Sequence, residues 1–202
     1  MCNHYANDPA ARASLPTWRE YIGWDIGRAL PPELQSAPSE AWPRKAALIV
    51  RNGDGGAFVD SMIWGVPLTM PGKRAGTTVT KHVTNVRNLS SPFWRSMLAK
   101  PEQRCLVPFT AFAEPKPNAG RDEVWFTLPG APLSAFAGIW RPSDAGNVFA
   151  FLTCDPNPMI APIHPKAMPV ILHQEDYQSW LDGGDAQKLA VPFPSQLMKT
   201  IQ

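Results

Sequence analysis

The sequence predicts an α+β fold in which a single domain, residues 1–202, is built on a mostly antiparallel, barrel-like β-sheet with a few short helices. Its 202 residues are enough for one domain with a substantial core and too few for two comfortable ones. The 23 prolines are about twice the usual share, and they are spread from Pro9 to Pro194, so long helices cannot dominate. About seven strand-like runs are separated by short Pro and Gly turns, which indicates an antiparallel sheet.

The first third of the chain predicts a helix, an irregular connection and a hairpin. Apolar residues recur at helical spacing over residues 15–26, behind a proline suited to a first helical turn. Residues 31–43 contain four prolines and no periodicity, which indicates an irregular surface connection. Two apolar runs, AALIVR (46–51) and FVDSMIWG (58–65), flank the turn-forming NGDGG and predict a β-hairpin.

The remaining elements are strands with two short helices. TTVTKHV (77–83) alternates and is rich in β-branched residues, which favours a strand. Serines and a proline predict a helix over 90–99, and QEDYQSWLDGG (174–184) predicts another that is ended by glycine. Four further strands are predicted at RCLVPF (104–109), EVWFTL (123–128), SAFAGIW (134–140) and NVFAFLT (147–153).

Composition excludes several classes of protein. Charged residues make up 18% and apolar residues 44% of the chain, which excludes disorder driven by charge. The longest uncharged stretch, 124–140, is interrupted by two prolines and a glycine, so no membrane span is expected. The N-terminus lacks the apolar core of a signal peptide, and the three cysteines are an odd number, so we expect a cytoplasmic, reducing location.

Positive charge is concentrated in the middle of the chain. The net charge is only +2, but residues 71–104 contain seven lysines and arginines against a single acid, Glu102. Such a cluster is a candidate surface for a polyanion. A solvated basic face is equally compatible with it.

Cys2 is the most informative position for chemistry. If Met1 is removed, Cys2 carries both an α-amine, with an ordinary pKa near 7.7 to 8.0, and a thiol near 8.5. Such a 1,2-aminothiol suits aldehydes, because the amine condenses to a Schiff base and the adjacent sulfur then closes a five-membered thiazolidine. The plainer alternative is an incidental cysteine at a frayed terminus.

Other residues are compatible with both chemical and structural roles. Glu114 follows an apolar run, so it is either a solvated strand end or a partly buried acid with a raised pKa, as general acid/base catalysis needs. His164 lies in a Pro-flanked loop, Asn85 suits a turn, and Arg87 suits a solvated charge. No metal or organic cofactor is expected, because no second ligand pair accompanies Cys2 and the other two cysteines lie in apolar strand patterns.

Several of these pieces occur in a family-specific order. They are MCNHY, MIWG (62–65), TNVRN (84–88) ahead of PFW, RCLVPFTAFAEPK (104–116), AGIW (137–140) and IHPKAMPVIL (163–172). Together they resemble the SOS-response-associated peptidase (SRAP) family over residues 2 to about 182. Members of this family shield abasic sites in single-stranded DNA by covalent crosslinking.

The resemblance implies roles for individual residues. Cys2 would be the crosslinking nucleophile after loss of Met1, Asn85 would orient it, Glu114 would be the adjacent acid/base, and His164 would assist proton transfer on the opened sugar. The residues expected to bind DNA are Arg87, Lys81, Lys166, Trp42, Trp64 and His4. The expected partner is single-stranded DNA with abasic sites, bound by a monomer that is nucleoid-associated when it is on DNA and has no membrane partner.

The chain also departs from the family pattern. The residues after Cys2 are usually Gly-Arg-Phe, and here His4 replaces the arginine by a titratable group. Lys166 stands where an arginine usually follows the histidine, so it keeps the charge without the bidentate geometry. Pro115 replaces a tryptophan, and residues 88–89 break the usual acidic continuation of the N-x-R motif.

Two other functions remain open from the sequence. One is an N-terminal-nucleophile cysteine peptidase or amidohydrolase in which Cys2 attacks an acyl carbon and either its own amine or His164 is the base, with self-removal of Met1 as its minimal form. The other is a noncovalent single-strand-binding module in which Cys2 is inert.

Overall fold

Strands make up most of the regular structure in the computed structural model, which describes residues 2–25, 37–117, 119–120 and 122–201. The strands are β1 (His4–Ala6), β2 (Glu40–Ala41), β3 (Ala46–Gly53), β4 (Gly56–Trp64), β5 (Val66–Pro71), β6 (Thr78–Val83), β7 (Asn85–Val86), β8 (Arg104–Phe109), β9 (Ala111–Pro115), β10 (Glu123–Thr127), β11 (Ser134–Arg141), β12 (Val148–Cys154), β13 (Met168–Pro169), β14 (Ile171–Leu172) and β15 (Lys199–Ile201). The α-helices are α1 (Pro9–Arg12), α2 (Pro92–Leu98), α3 (Tyr177–Leu181) and α4 (Ala186–Leu189). Single 3₁₀ helices lie at Leu15–Glu20, Pro101–Gln103, Gln174–Asp176 and Ser195–Leu197.

Five strands close on themselves as a small barrel. β3 pairs with β4 and β8, β8 pairs with β11, β11 pairs with β12, and β12 pairs with β4. The β12–β4 pairing is parallel and the other four are antiparallel. The α+β class and the mostly antiparallel, barrel-like sheet that the sequence predicts are therefore confirmed.

Two of the barrel strands, β8 and β12, are mostly apolar because both of their faces are covered. Every residue of β8 and of β12 is buried. Aromatic rings fill the centre: Phe109 stacks on Phe136 with 4.0 Å between ring centroids, and Phe136 lies 4.8 Å from Phe151. Offset and tilted aromatic pairs of this kind stabilise a core beyond the area that they bury.

A second sheet, in the order β15-β10-β9-β1-β2, holds the N-terminal strand. β1 lies between two antiparallel partners, with Tyr5 opposite Phe112 of β9 and also opposite Ala41 of β2. β9 follows directly on β8, so this sheet continues from the barrel. The consequence is that the segment around Cys2 lies beside the strand that carries Glu114.

The predicted elements are largely confirmed. The hairpin of β3 and β4, the strands β6, β8, β10, β11 and β12, and the helix α2 all lie where the sequence places them. The segment 174–184 forms a 3₁₀ turn and α3, and it ends with Gly183 at φ +86°, a left-handed conformation that favours glycine. Among the described residues, no helix combines the length and apolarity that a bilayer crossing requires.

Two of the predictions are corrected. The helix expected over 15–26 is a 3₁₀ helix that ends at Glu20, and Ile26 lies outside the described residues. The connection 31–43 is not irregular throughout, because Glu40–Ala41 forms β2 by pairing with β1, while residues 31–36 lie outside the described part. Neither two-residue strands nor long-range pairing produce a local sequence pattern.

The last cation of the basic segment 71–104, Arg104, does not lie on the predicted polyanion surface. Arg104 is buried, its guanidinium donates to the carbonyl of Leu98, and it lies 3.9 Å from the centroid of the Trp180 ring. Burial lowers its pKa to about 10. Arg104 therefore stabilises the interior and cannot contribute to a polyanion surface.

Candidate active site

Cys2 lies in a buried position just before β1. Its side chain is 1% exposed, and Sγ donates to the carbonyl oxygen of His4 at 3.5 Å. Burial raises the pKa of the thiol well above its ordinary value, and the nearby charge of Glu114 raises it further. At neutral pH the sulfur is therefore held as a thiol.

Asn85 touches Cys2 from the other side. It begins β7, which pairs in parallel with β12, so its position is set by the barrel. Its Nδ2 donates to the carbonyl oxygen of Cys2 at 3.2 Å and to Oγ1 of Thr84 at 2.8 Å. Within the described residues, the buried Oδ1 of Asn85 has no hydrogen-bond partner, so this oxygen can accept a hydrogen bond at the site.

Glu114 is an interior carboxyl group on β9. Side chains alternate along a strand, so Glu114 shares a face with Phe112, which lies in the core. Its side chain is fully buried, and burial raises its pKa to about 7, with a smaller contribution from the charge of Glu123. A carboxyl group with this pKa can donate and accept a proton near neutral pH.

His164 completes the cluster from the loop before β13. Its Nδ1 donates to the carbonyl oxygen of Ala167 at 2.6 Å and lies 3.8 Å from Oε2 of Glu114. Burial lowers the pKa of the imidazole. The ring is therefore neutral at pH 7, and with the proton on Nδ1 it is Nε2 that can accept a proton.

The structure thus brings the four predicted residues together from four separate segments of the chain. Asn85 donates to the carbonyl oxygen of Cys2, and Nδ1 of His164 lies close to Oε2 of Glu114. The charge of Glu114 raises the pKa of the Cys2 thiol. The arrangement brings together a thiol, an amide, a carboxyl group with a pKa near 7 and a partly buried, neutral imidazole. Such a set can move protons between groups at neutral pH.

Comparisons with known proteins decide the family. The model of the family described as SOS response associated peptidase (SRAP) matches residues 1–202. The chain belongs to the SRAP family. The resemblance seen in its motifs is therefore confirmed, and the family description is of an SOS-associated protein.

Solved structures share the fold of this SRAP-family chain. A protein of Bordetella bronchiseptica superimposes with a TM-score of 0.73 at 24% identity, covering 98% of both chains. A protein of Bacteroides thetaiotaomicron gives 0.72 at 22% identity, covering 98% of this chain and 90% of the other. A phage-related protein of B. bronchiseptica gives 0.66 at 17% identity, covering 99% and 93%. The comparison with curated proteins found no match.

Four residues that were predicted to bind DNA are exposed in the SRAP-family chain. Arg87 extends from the end of β7 and pairs with the exposed Asp155 at 2.5 Å. Lys166 lies in the loop of His164, and Lys81 lies on β6. Trp42 is 44% exposed. Their contact with DNA stays a prediction.

Trp64 does not present a face to solvent, which corrects the expectation that bases stack on it. It is fully buried, 5.2 Å from the ring of Phe151, and its Nε1 donates to the carbonyl oxygen of Thr84 at 3.0 Å. The alternation of β4 points this side chain into the barrel. Trp64 therefore supports the segment that carries Asn85.

His4 is corrected in the same way as a direct DNA contact. It is 5% exposed, and its Nδ1 lies 2.7 Å from Glu123 and its Nε2 3.3 Å from Glu40. The ring stacks on Trp42 at 3.6 Å and meets the edge of Trp125 at 4.5 Å. Because both ring nitrogens face carboxylates, His4 holds β1 in the sheet and is not available to a phosphate.

Sequence reasoning missed two residues that position the cluster. Thr84 binds Nδ2 of Asn85 and so directs Oδ1 of the same amide away from itself. Asn157 is buried, accepts from the backbone N–H groups of Met159 and Ile160, and donates to Phe193, which shapes the loop of His164. The only local signal was the preference of Asn and Thr for capping backbone groups in turns.

The cluster includes neither of the other two cysteines, and it lines neither of two cavities in the described part of the chain. Cys105 and Cys154 are buried in barrel strands, and burial raises the pKa of Cys154 to about 12. One cavity of about 580 Å³ is lined by residues that include Arg51 and Trp140, and another of about 460 Å³ by residues that include His82 and Arg141. Neither cavity is lined by a member of the cluster, so the candidate site rests on its chemistry and not on cavity size.

Proposed function

We propose that this SRAP-family chain crosslinks covalently to abasic sites in single-stranded DNA through Cys2, after Met1 has been removed, and so shields the lesion. The observation that carries the proposal is the burial of Cys2 against Asn85 and near Glu114, with His164 3.8 Å from Glu114. The pKa of Glu114, raised to about 7 by burial, supplies the acid/base that this chemistry needs at neutral pH.

The reaction begins with the closed hemiacetal of the abasic deoxyribose. Opening the ring removes the proton of the C1′ hydroxyl and delivers a proton to the ring oxygen. In the proposed step Glu114 in its carboxyl form donates one proton and Nε2 of His164 accepts the other, which is supported by the 3.8 Å separation of His164 Nδ1 and Glu114 Oε2. The products are a free aldehyde at C1′ and a hydroxyl at C4′, with no net change in protons.

The aminothiol of Cys2 then captures the aldehyde. The amine adds to C1′, and His164 returns its proton to Glu114. Glu114 then protonates the hydroxyl of the carbinolamine, which leaves as water, and takes back the proton that the nitrogen releases to give the imine. The thiol adds to the same carbon, the sulfur proton is transferred to the imine nitrogen, and the thiazolidine closes. Aldehyde and aminothiol give thiazolidine and one water, so no oxidant, reductant or cofactor is required.

The raised pKa of the Cys2 thiol favours this order of events over a peptidase mechanism. A cysteine peptidase uses a thiolate, whose formation requires a lowered pKa. Burial and the charge of Glu114 shift the pKa of Cys2 in the opposite direction. In the proposed reaction the amine attacks first, and the sulfur is needed only when an electrophilic imine already lies beside it.

Exposed residues around the cluster suit the flanking strand. Arg87 and Lys166 carry cations at the ends of two segments that also carry Asn85 and His164, so phosphates on either side of the lesion would meet them. Trp42 offers an aromatic face on which a base can stack. Binding would replace the contact of Arg87 with Asp155.

Intact-mass spectrometry after incubation with an abasic single-stranded oligonucleotide tests the proposal. We expect a heat-stable product whose mass is that of the protein without Met1 plus the oligonucleotide minus one water. Cys2→Ala should abolish this product, because no thiol remains to close the ring. Cys2→Ser should retain an imine that borohydride traps, because the amine remains.

Cys105→Ala is the matched control, since it removes a buried thiol from β8 and should leave the product unchanged. Heat-stable product from Cys2→Ala at the wild-type level, or retention of Met1 in reactive protein, would overturn the assignment. Peptide turnover without a mass shift would favour the peptidase, and gel retardation without a covalent product would favour the noncovalent module.

A further inference from the structure

The strands β5 and β6 form an arm that extends from the barrel, and we refer to residues 66–83 as the β-arm. The two strands pair only with each other among the described residues. The first five of the six β6 residues are exposed, and so are the last three of β5. Since neighbouring side chains in a strand point to opposite faces, both faces of the outer arm are open to solvent.

The charge of the β-arm has one sign. It carries Lys73 and Arg74 in its turn and Lys81 on β6, and it contains no Asp or Glu. Within the described part of the chain, none of these three cations has an ion-pair partner. The surface therefore suits a polyanion.

An exposed apolar pair lies next to the charged turn. Met70 and Val79 are directly opposite each other across the two strands, and they are 40% and 51% exposed. Lysine and proline often protect the free edge of a sheet from pairing with a strand of another molecule. On β5, Pro67 and Pro71 already provide this protection. Edge protection thus accounts for neither the basic turn nor the apolar pair.

The β-arm is continuous with the candidate active site. β6 ends at Val83, and the chain then passes through Thr84 to Asn85, which contacts Cys2. β6 begins at Thr78, seven residues before Asn85, so with a rise of roughly 3.4 Å per residue the inner end of the turn lies up to about 24 Å from Asn85. A single strand that leaves the site along the arm therefore reaches Lys73 and Arg74 only after several nucleotides.

We infer that the β-arm binds the phosphate backbone of the single strand that continues from the active site, several nucleotides from the lesion. Lys73 and Arg74 contact phosphates, and the pair Met70 and Val79 packs on sugars or bases. This inference rests on the proposed function for the identity of the ligand. It adds a second contact that sets affinity without taking part in the covalent step.

Binding to oligonucleotides of different lengths tests the inference. The probes carry a tetrahydrofuran in place of the abasic sugar, which cannot crosslink, with 3 or 12 nucleotides on its 5′ or 3′ side. The double variant Lys73→Ala with Arg74→Ala should bind one of the two one-sided long probes, either the 5′-long or the 3′-long one, about tenfold more weakly than wild type does. The slope of log K against log salt should become shallower by about 1.4, since two phosphate contacts are lost. The probe that is short on both sides should bind as it does to wild type.

Matched controls separate a specific contact from a general loss of charge. Arg19→Ala with Lys188→Ala removes the same charge from exposed positions outside the arm and outside segment 71–104, and it should leave the affinity for every probe within twofold. Met70→Thr with Val79→Thr tests the apolar pair at constant charge and should weaken the same long probe. Equal losses on long and short probes, or losses matched by the control pair, would overturn the inference.

Two further outcomes keep the inference apart from competing interpretations. If wild-type protein forms no crosslink yet the length-dependent loss remains, the proposed function fails and the β-arm contact stands. If Met70→Thr with Val79→Thr converts a wild-type dimer to a monomer in sedimentation, the arm binds a second copy of the chain and the inference is wrong.

Discussion

At the scale of single residues, Glu114 is the group whose ionisation governs the proposed reaction. Its pKa is raised to about 7 by burial, while the ordinary pKa of an α-amine is near 7.7 to 8.0. The acid must be protonated to assist ring opening and loss of water, and the amine must be unprotonated to attack. The two requirements overlap in a narrow pH range around neutrality.

The crosslinking rate should therefore follow a bell-shaped pH profile. It rises as the amine loses its proton, and it falls as Glu114 ionises. Glu114→Gln keeps the shape of the side chain but removes the titrating group, so the rate at pH 7 should fall by about 10²-fold or more. The measurement is the single-turnover rate of crosslinking at saturating abasic oligonucleotide across pH 5 to 9.

Glu102→Gln is the control, because it makes the same change at an exposed carboxyl group. This variant should reproduce the wild-type profile. A Glu114→Gln rate within threefold of wild type over the whole range would remove the acid/base role and leave Glu114 as a structural residue.

At the scale of elements, β1 depends on the His4 side chain. The strand is three residues long, and Cys2 lies two residues before it. Besides its backbone ladder, it is held by the contacts of His4 with Glu123, Glu40 and Trp42. His4 thus helps to fix the position of Cys2.

We expect His4→Ala to slow crosslinking about tenfold while the protein stays folded. The reason is that loss of the clamp lets the start of β1 depart from β9, so that Cys2 spends less time beside Glu114. His4→Arg, which restores the residue usual in the family pattern, should recover most of the rate. The measurements are crosslinking rate, circular dichroism and Tm for each variant.

His173→Ala provides the comparison at this scale. His173 stacks on Phe193 at 4.7 Å, so the variant also removes an imidazole from an aromatic contact. It should lower Tm without slowing crosslinking. If both variants lower Tm equally and neither changes the rate, the His4 clamp stabilises the sheet alone.

At the scale of the whole molecule, the raised pKa of Glu114 has a cost in stability. A buried carboxyl with its pKa raised from 4.5 to about 7 keeps its proton in the folded state after the unfolded chain has released it. The unfolded state therefore binds fewer protons between these two values, and folding stability falls as pH rises through them. Above pH 7 the loss is complete and is on the order of 3 kcal/mol.

The substitution that slows the reaction should for this reason stabilise the fold. At pH 8, Glu114→Gln should unfold at a higher urea concentration than wild type by an amount on the order of 3 kcal/mol in free energy. At pH 4 the two proteins should unfold at nearly the same concentration. Urea denaturation at both pH values measures the difference, and an equal effect at pH 4 and pH 8 would contradict it.

The barrel strands could be predicted from the sequence because burial on both faces leaves a local signature. Strands β8, β11 and β12 consist mostly of apolar residues over six to eight positions, and proline and glycine lie close to their ends. The candidate residues Cys2, Asn85, Glu114 and His164 could likewise be named in advance. Each has a reactive or polar side chain in a motif of its own.

Only the tertiary structure decided what surrounds each residue. β1 and β2 are too short to show a period, and they exist because segments more than 30 residues apart along the chain pair in one sheet. That pairing buries His4 between two carboxylates, and barrel closure buries Trp64 while Trp42 stays exposed. The periodicity of a sequence indicates whether a side chain is buried. It does not show which residues contact that side chain or whether a ligand can reach it. These properties, and the pKa of a group such as Glu114, depend on which distant segments of the chain pack over it.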